Sequence, residues 1–578
     1  MPEPTPALEV KSLSLAYRAV RGRISALTDV SFSVAAGEFV ALVGESGSGK
    51  TTITGAVTGL LPRTAQVTAG RVALDGIDVT ALSERQWSRL RGRKVGLIPQ
   101  DPGASLTPVL TIGAQVAEIF AIRGERLGRA ERRARSIELL EVAEVSRAAD
   151  RLTQYPYELS GGLKQRILIA IAFGLNPSLL VADEPTSALD VTVQKQILAI
   201  FDRLARDHGS SVLFVTHDLA LATDHASRAL VLQQGRLVDD APVDQLVRAP
   251  RIDYTRQLIE HARATQSAPP ADGSGGVPVH GAAGGAVSAP DASTDLAPAL
   301  EVRGLGKVFP GRRGADPIVA VDGVSFQVPA GHTLALVGES GSGKSTTARM
   351  ILRLADPTTG EIHVAGRDVT RVVGRDRLSL WRSVQLVYQN PDSALDPRWT
   401  VGRIVAEPLT AMGIGTRQER RTRVQELLDA VSLPEGTIDK RPGELSGGQR
   451  QRVAIARSLA PNSSIVVLDE ALSALDVITQ ERVLQLIERL QRELGVSYLF
   501  ISHDLSTVRR IAHHVVVLRA GRIVEQGSVT DVFLSPKTDY VRDLLAAIPG
   551  RRFLRGPASA HSVSSPSPTT EHQELSTR

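Results

Sequence analysis

Short β-rich runs, apolar but for at most an end residue, recur along the chain at 39–43, 179–182 and 212–216, and again at 333–337, 465–468 and 498–502. Longer segments of helical character separate them. Strands alternating with helices predict an α/β fold with a largely parallel central sheet, whose ligands bind at the carboxyl ends of the strands. The most apolar stretch, 167–182, is broken by Asn176 and Pro177 and flanked by Arg166 and Asp183. It falls short of the roughly 20 apolar residues that cross a bilayer, so any service to a membrane is expected to go through a partner.

The pattern occurs twice. LEVKSLSLAY at 8–17 returns as LEVRGLGKVF at 300–309, and GESGSGKTT at 44–52 returns as GESGSGKSTT at 338–347. Later pairs keep the order and nearly the same spacing: LIPQDP and LVYQNP, ELSGG twice, VADE and VLDE, VTHD and ISHD. Two homologous domains are predicted, 1–263 and 300–550, each with a C-terminal extension. Between them 264–299 is rich in Ala, Gly, Pro and Ser without amphipathic period, which predicts a flexible linker. The tail 551–578 has the same character and is expected to be disordered.

The pattern G-x-x-x-x-G-K-[ST] stands at 44–51 and 338–345, each time after an apolar strand and opening a helix. Gly44, Gly47 and Gly49, with Gly338, Gly341 and Gly343, let backbone N–H groups curl round phosphates. Ser46, Thr52, Ser340 and Thr346 belong to the same loops. Lys50 and Lys344 offset phosphate charge, while Thr51 and Ser345 are placed to ligate Mg²⁺. Each P-loop is followed by an apolar strand ending in paired acids, Asp183-Glu184 and Asp469-Glu470. The first acid suits Mg²⁺; the second suits a general base on the attacking water, a role worth about 10²- to 10⁴-fold in rate. After the next strand come His217 and His503. A lone histidine is more often structural, but a matched pair at strand ends points to a γ-phosphate and its water. Ser160-Gly161-Gly162 and Ser446-Gly447-Gly448 open long helices, where an N-cap also turns free N–H groups and a positive dipole end toward an anion.

Composition narrows the partners. A length of 578 residues exceeds what one core of roughly 250 to 300 residues can hold. The 67 Lys+Arg against 62 Asp+Glu leave +5, a weak field rather than a nucleic-acid footprint, and 4% aromatics give little to stack bases on. No cysteine is present, which excludes disulfides and zinc-cysteine modules and fits a reducing compartment. MPEPTPALEV lacks a basic segment followed by an apolar one, so no secretory signal is read.

Taken together, the P-loop, a glutamine loop (Gln100, Gln389), LSGG, the acidic strand end, a SALD loop (187–190, 473–476) and the histidine resemble the ordered motifs of ABC ATPase domains. The resemblance covers nearly the whole chain except linker and tail. It implies two tandem P-loop NTPase domains, each with a largely parallel central sheet, a β-rich subdomain and a helical signature subdomain. It further implies that the cassettes pack head to tail. ATP on Lys50, Gln100, Glu184 and His217 is then capped by Ser446, Gly448 and Gln449, and ATP on Lys344, Gln389, Glu470 and His503 by Ser160 and Gly162. Gln100 and Gln389 would join Thr51, Asp183, Ser345 and Asp469 around Mg²⁺. Tyr17 and Phe309, which read as core residues on pattern alone, match the family's adenine-stacking aromatic.

A narrower resemblance lies around QDPGASLTPVLTIGAQVAE from Gln100 and QNPDSALDPRWTVGRIVAEPL from Gln389. These are similar to the two ATPase subunits of the peptide importer family, which takes up dipeptides, oligopeptides, nickel or glutathione. LSGGLKQRILIAIAF resembles the first subunit and LSGGQRQRVAIARSL the second, so the chain reads as both fused. Pro250, Tyr254 and Arg256, then Pro536, Tyr540 and Arg542, are similar to the family's C-terminal element, with Ile252-Asp253 and Thr538-Asp539 replacing its His-Pro. The family's cysteine-rich segment is absent. Leu163 stands where Gln449 stands, and Ala471-Leu472 replace Pro185-Thr186. The site on Lys344, Glu470 and Ser160 is therefore expected to be the slower of two active sites.

The resemblance implies two integral-membrane permease subunits docking near the glutamine loops, an extracytoplasmic substrate-binding protein acting indirectly, and a place at the cytoplasmic face of the membrane. No nucleic acid and no direct contact with the transported solute are expected. An exporter ATPase stays open, because substrate choice resides elsewhere. A tandem-cassette translation factor would join its halves by a long charged helix rather than an Ala/Gly/Pro/Ser linker, and a DNA-repair cassette needs cysteines.

Overall fold

The computed structural model describes residues 5–18, 22–187, 189–267, 298–311, 316–473 and 475–550. Phe39–Val43 is apolar at every position and Thr333–Val337 at all but its first, and both are almost wholly buried, as strands covered on both faces must be. Around the first, a six-stranded sheet runs Arg236–Pro242, Arg228–Gln233, Phe39–Val43, Ser211–Thr216, Leu179–Asp183, Val95–Ile98. The second sheet runs Arg522–Ser528, His514–Arg519, Thr333–Val337, Ser497–Ile501, Ile465–Asp469, Val384–Val387. In each, only the first-named edge strand is antiparallel to its neighbour.

The strands expected at 179–182 and 465–468 run one residue further, because Asp183 still pairs with Val215 and Asp469 with Ile501. Two others start one residue early, at Ser211 and Ser497, and the strand expected to reach 502 ends at Ile501.

A four-stranded antiparallel sheet covers each P-loop side: Arg23–Val34, Leu8–Arg18, Ala65–Leu74 and Ile77–Asp78, then Ile318–Val328, Leu300–Phe309, Thr359–Val364 and Arg367–Asp368. Its inward residues, such as Leu8, Leu13 and Val30, share one core with Leu42, Ile53 and Leu230 of the central sheet and P-loop helix. Helices Ile112–Arg123, Arg129–Val142 and Gly161–Gly174 enclose a separate core, and Val401–Ala411, Arg417–Ala430 and Gly447–Leu459 form its counterpart. Each half is thus an α/β domain with a β-rich and a helical subdomain.

Helices Val191–His208 and Val477–Leu494 start at the SALD aspartates. Asp190 accepts from Val193 N at 3.0 Å and Asp476 from Thr479 N at 2.9 Å, each satisfying an otherwise orphan donor. Val191 packs into a core otherwise built from the second half, so this helix start lies on the boundary between halves.

Helix Asp253–Ser267 runs four residues past the expected linker start at 264. Ala264, Thr265, Gln266 and Ser267 include neither Gly nor Pro, so helical bonding continues to just before the Ala-Pro-Pro that follows. The rest of the linker up to 297, and the tail 551–578, lie outside the described residues. Among the described residues no helix is long and apolar enough to cross a membrane.

Candidate active site

Each P-loop closes between the end of a buried strand and the start of a helix. A side chain on Gly44 would put its Cβ 2.2 Å from the Leu232 carbonyl oxygen, and one on Gly338 would meet Leu518 O at the same distance. Gly49 and Gly343 begin their helices at φ 108° and 104°, where side chains are disfavoured. The Lys50 ammonium is buried and donates to Gly44 O at 2.7 Å and Glu45 O at 2.9 Å; Lys344 repeats this with Gly338 O at 2.7 Å and Glu339 O at 2.8 Å. Burial lowers both lysine pKa values, while nearby carboxylates, foremost Glu184 and Glu470, oppose the shift. Ser46, Gly47, Ser340 and Gly341 stand exposed at the loop tips. Thr51 is also exposed, Thr52 is buried, and Ser345 and Thr346 are half-buried.

The paired acids close the far side. Glu184 and Glu470 sit just past their strands at φ 45° and 48°, a left-handed backbone that costs a side-chain-bearing residue on the order of 1–3 kcal/mol. Their N–H groups bond Val215 O at 2.8 Å and Ile501 O at 2.9 Å, which hold the turn. The Glu184 carboxylate accepts from Gln100 Nε2 at 2.9 Å and lies 3.2 Å from His217 Nδ1; Glu470 accepts from Gln389 Nε2 at 2.8 Å and lies 3.4 Å from His503 Nδ1. Burial pushes both glutamates up, but the histidine's hydrogen bond and charge outweigh it and leave them below the usual range. Burial pushes the histidines down, and the bond and charge of the glutamate leave them raised. The structure thus joins glutamine loop, acid and histidine into one cluster per half, with the glutamate ionised.

Asp183 behaves oppositely: burial, then the adjacent Glu184 charge, pushes it up to about 6 against the pull of Lys50. Asp469 is raised for the same reasons, and Ser345 Oγ donates to it at 3.3 Å. Hydroxyl and carboxylate oxygens side by side are the hard donors Mg²⁺ prefers. Among the described residues no three His, Cys, Asp or Glu are grouped to hold a metal by themselves. The Ser345–Asp469 pair therefore fits Mg²⁺.

Tyr17 packs beside the first core and its hydroxyl lies 3.1 Å from Thr52 Oγ1. Phe309 is exposed, with the Lys307 ammonium 5.2 Å from its ring centre. Ser160 and Ser446 N-cap their helices through Leu163 N at 3.4 Å and Gln449 N at 3.3 Å. In the second half Gln449 Oε1 also accepts from Ser446 N at 2.9 Å, a reciprocal bond that Leu163 cannot make. Gly161 and Gly162, and Gly447 and Gly448, form the first turns behind these caps.

Among the described residues no hydrogen bond joins LSGG of one half to the P-loop of the other. Contacts across the halves include the SALD loop and the helix behind it, and Gly550 N donating to Asp224 Oδ2 at 2.6 Å. Asp190 Oδ2 accepts from Ser340 N at 3.3 Å, and Thr192 Oγ1, with one proton to share, lies 2.7 Å from Asp190 Oδ1 and 3.1 Å from Glu339 Oε1. A cavity of about 190 Å³ lies between the halves and is lined by Glu184, His217, Glu470 and His503 together. The motif reading named the SALD loops without assigning these bonds. It missed Thr192 altogether, since nothing in its local sequence marks a residue whose partner lies in the other half.

Comparison with known proteins agrees with this architecture. Residues 27–187 and 321–473 each match the family described as ABC transporter. The oligopeptide transport ATP-binding protein OppD of Mycobacterium tuberculosis is 42% identical, aligned over 94% of this chain and 98% of its own. The glutathione import ATP-binding protein GsiA of Pectobacterium atrosepticum is 40% identical over 94% of this chain and 89% of its own. Two P-loops, two glutamate–histidine clusters and similarity that spans both halves place the chain in the ABC transporter family, as a protein carrying two ATP-hydrolysing cassettes.

Proposed function

We propose that this chain is the ATPase of a peptide importer and that it closes its two cassettes on ATP to drive separate permease subunits at the cytoplasmic face of the membrane. The observation carrying this reading is the 42% identity to an oligopeptide transport ATP-binding protein, continuous through both cassettes. In the closed state Ser446, Gly448 and Gln449 cap the ATP on Lys50, and Ser160 and Gly162 cap the ATP on Lys344. Thr51, Gln100 and Asp183, or Ser345, Gln389 and Asp469, would hold Mg²⁺, which would supply neutralising charge to the phosphates. Glu184 and Glu470 accept the proton of the attacking water. Gln100 and His217, or Gln389 and His503, keep those carboxylates aimed and ionised.

A groove of about 700 Å³ beside the second glutamine loop supports permease docking there. It is lined by Leu354, Trp381, Tyr388, Glu407, Met412 and Arg457. The similarity to glutathione import ATP-binding proteins favours a second reading, in which the solute is glutathione. Purifying the tagged chain from membranes tests the proposal: two integral-membrane proteins should copurify, and ATP hydrolysis should rise with a peptide-loaded binding protein. Recovery with ribosomes instead would contradict it.

A further inference from the structure

The two P-loops are held in different ways. At the Lys344 site the opposite half reaches over, with Thr192 on the Glu339 carboxylate and Asp190 on Ser340 N. The residue that follows Asp476 by two, as Thr192 follows Asp190, is Ile478. It has no hydroxyl to offer Glu45 and packs instead against an apolar cluster containing Tyr254, Leu258 and Ile259 of the C-terminal helix. Tyr254 is 6% exposed, and its hydroxyl accepts from Glu45 N at 3.2 Å.

Glu45 is therefore gripped on both sides, its N–H by Tyr254 and its carbonyl by Lys50. The helix is itself fixed to the edge strand by Thr255 Oγ1 donating to Asp239 Oδ2 at 2.9 Å. In the second half the corresponding Tyr540 hydroxyl is also buried and faces the Glu339 backbone, but it falls outside hydrogen-bond geometry, and the Arg519 guanidinium covers its ring at 4.6 Å.

We infer that Tyr254 is a positioning residue for the ATP site on Lys50: its hydroxyl presets the P-loop backbone there, where the other site is preset by Thr192 and Asp190 from across the interface. A preset loop strengthens ground-state binding and leaves the chemical step alone, so its loss raises KM and not kcat. One ordinary hydrogen bond sets the scale at about 3- to 10-fold.

The test compares Tyr254→Phe with the parent in the full chain bearing Lys344→Ala, so that only the Lys50 site binds Mg·ATP. Titration with a fluorescent ATP analogue should show affinity about 3- to 10-fold weaker, with the ATP concentration for half-maximal hydrolysis shifted equally and the maximal rate kept. The parent's own titration reports separately whether the Lys50 site binds nucleotide. Unchanged affinity would overturn the inference. So would an equal loss when Tyr254→Phe is placed in Lys50→Ala, or a fall in maximal rate at constant half-saturation.

Discussion

Glu184 and Glu470 combine burial with a left-handed backbone, and each is held by a glutamine and a histidine from two other loops. So much local cost is sustained by the surrounding bonds and points to function rather than packing. In the assembled transporter, Glu184→Gln and Glu470→Gln should each lower ATP hydrolysis, with about 10²- to 10⁴-fold lost at the altered site. Full activity in either variant would contradict two working sites. Asp183 offers a pH test. Its carboxyl titrates near the ordinary 3.8 when unfolded and at about 6 when folded, because burial, then Glu184, oppose its ionisation. Below 3.8 it is protonated in both states; above about 6 it is ionised in both, and the folded state bears the full cost. Its contribution to stability therefore declines as pH rises through that window. Asp183→Asn should flatten this part of a urea-midpoint curve for the nucleotide-free chain, and an unaltered curve would contradict the assignment.

Among the elements, the P-loop has no room to spare. Gly44→Ala would set its Cβ 2.2 Å from Leu232 O, a backbone atom that cannot turn aside, so the loop must shift off the strand end. Nucleotide titration should show loss of ATP binding at that site with the fold retained by circular dichroism; parent-like affinity would mean the loop is looser than its geometry. The signature helices differ by one bond, the Ser446–Gln449 reciprocal cap that Leu163 lacks. Leu163→Gln supplies that partner and should stabilise the first signature helix by about 0.5–1 kcal/mol, read as a raised denaturant midpoint. These elements were legible in sequence because each motif is local: a strand, a tight turn and a helix start within ten residues. The helix end at Ser267 was not, because Ala264 to Ser267 suit a linker as well as a helix, and the helix continues from a body anchored by buried Tyr254, Leu258 and Ile259.

At the scale of the molecule, repetition announced two cassettes, and their unlike halves were visible at Leu163 and Leu472. The long-range joints, within a half and between the halves, were not. Glu45 and Tyr254 are 209 positions apart, and Thr192 and Glu339 are 147 apart, separations over which no periodicity or motif carries information. The expectation that the Lys344 site is slower rests on those two departures and should appear as a smaller fraction of the maximal rate remaining in Glu184→Gln than in Glu470→Gln. The head-to-tail sharing of ATP is the central claim, and the chain contains no cysteine to confuse a crosslink. Ser46→Cys with Ser446→Cys, on exposed tips of opposite halves, should form a disulfide on mild oxidation only when Mg·ATP is held by Glu184→Gln and Glu470→Gln, seen as a shifted band on a non-reducing gel. A crosslink between Ser46→Cys and Ser160→Cys of the same half instead, or a Ser46–Ser446 link indifferent to nucleotide, would contradict it.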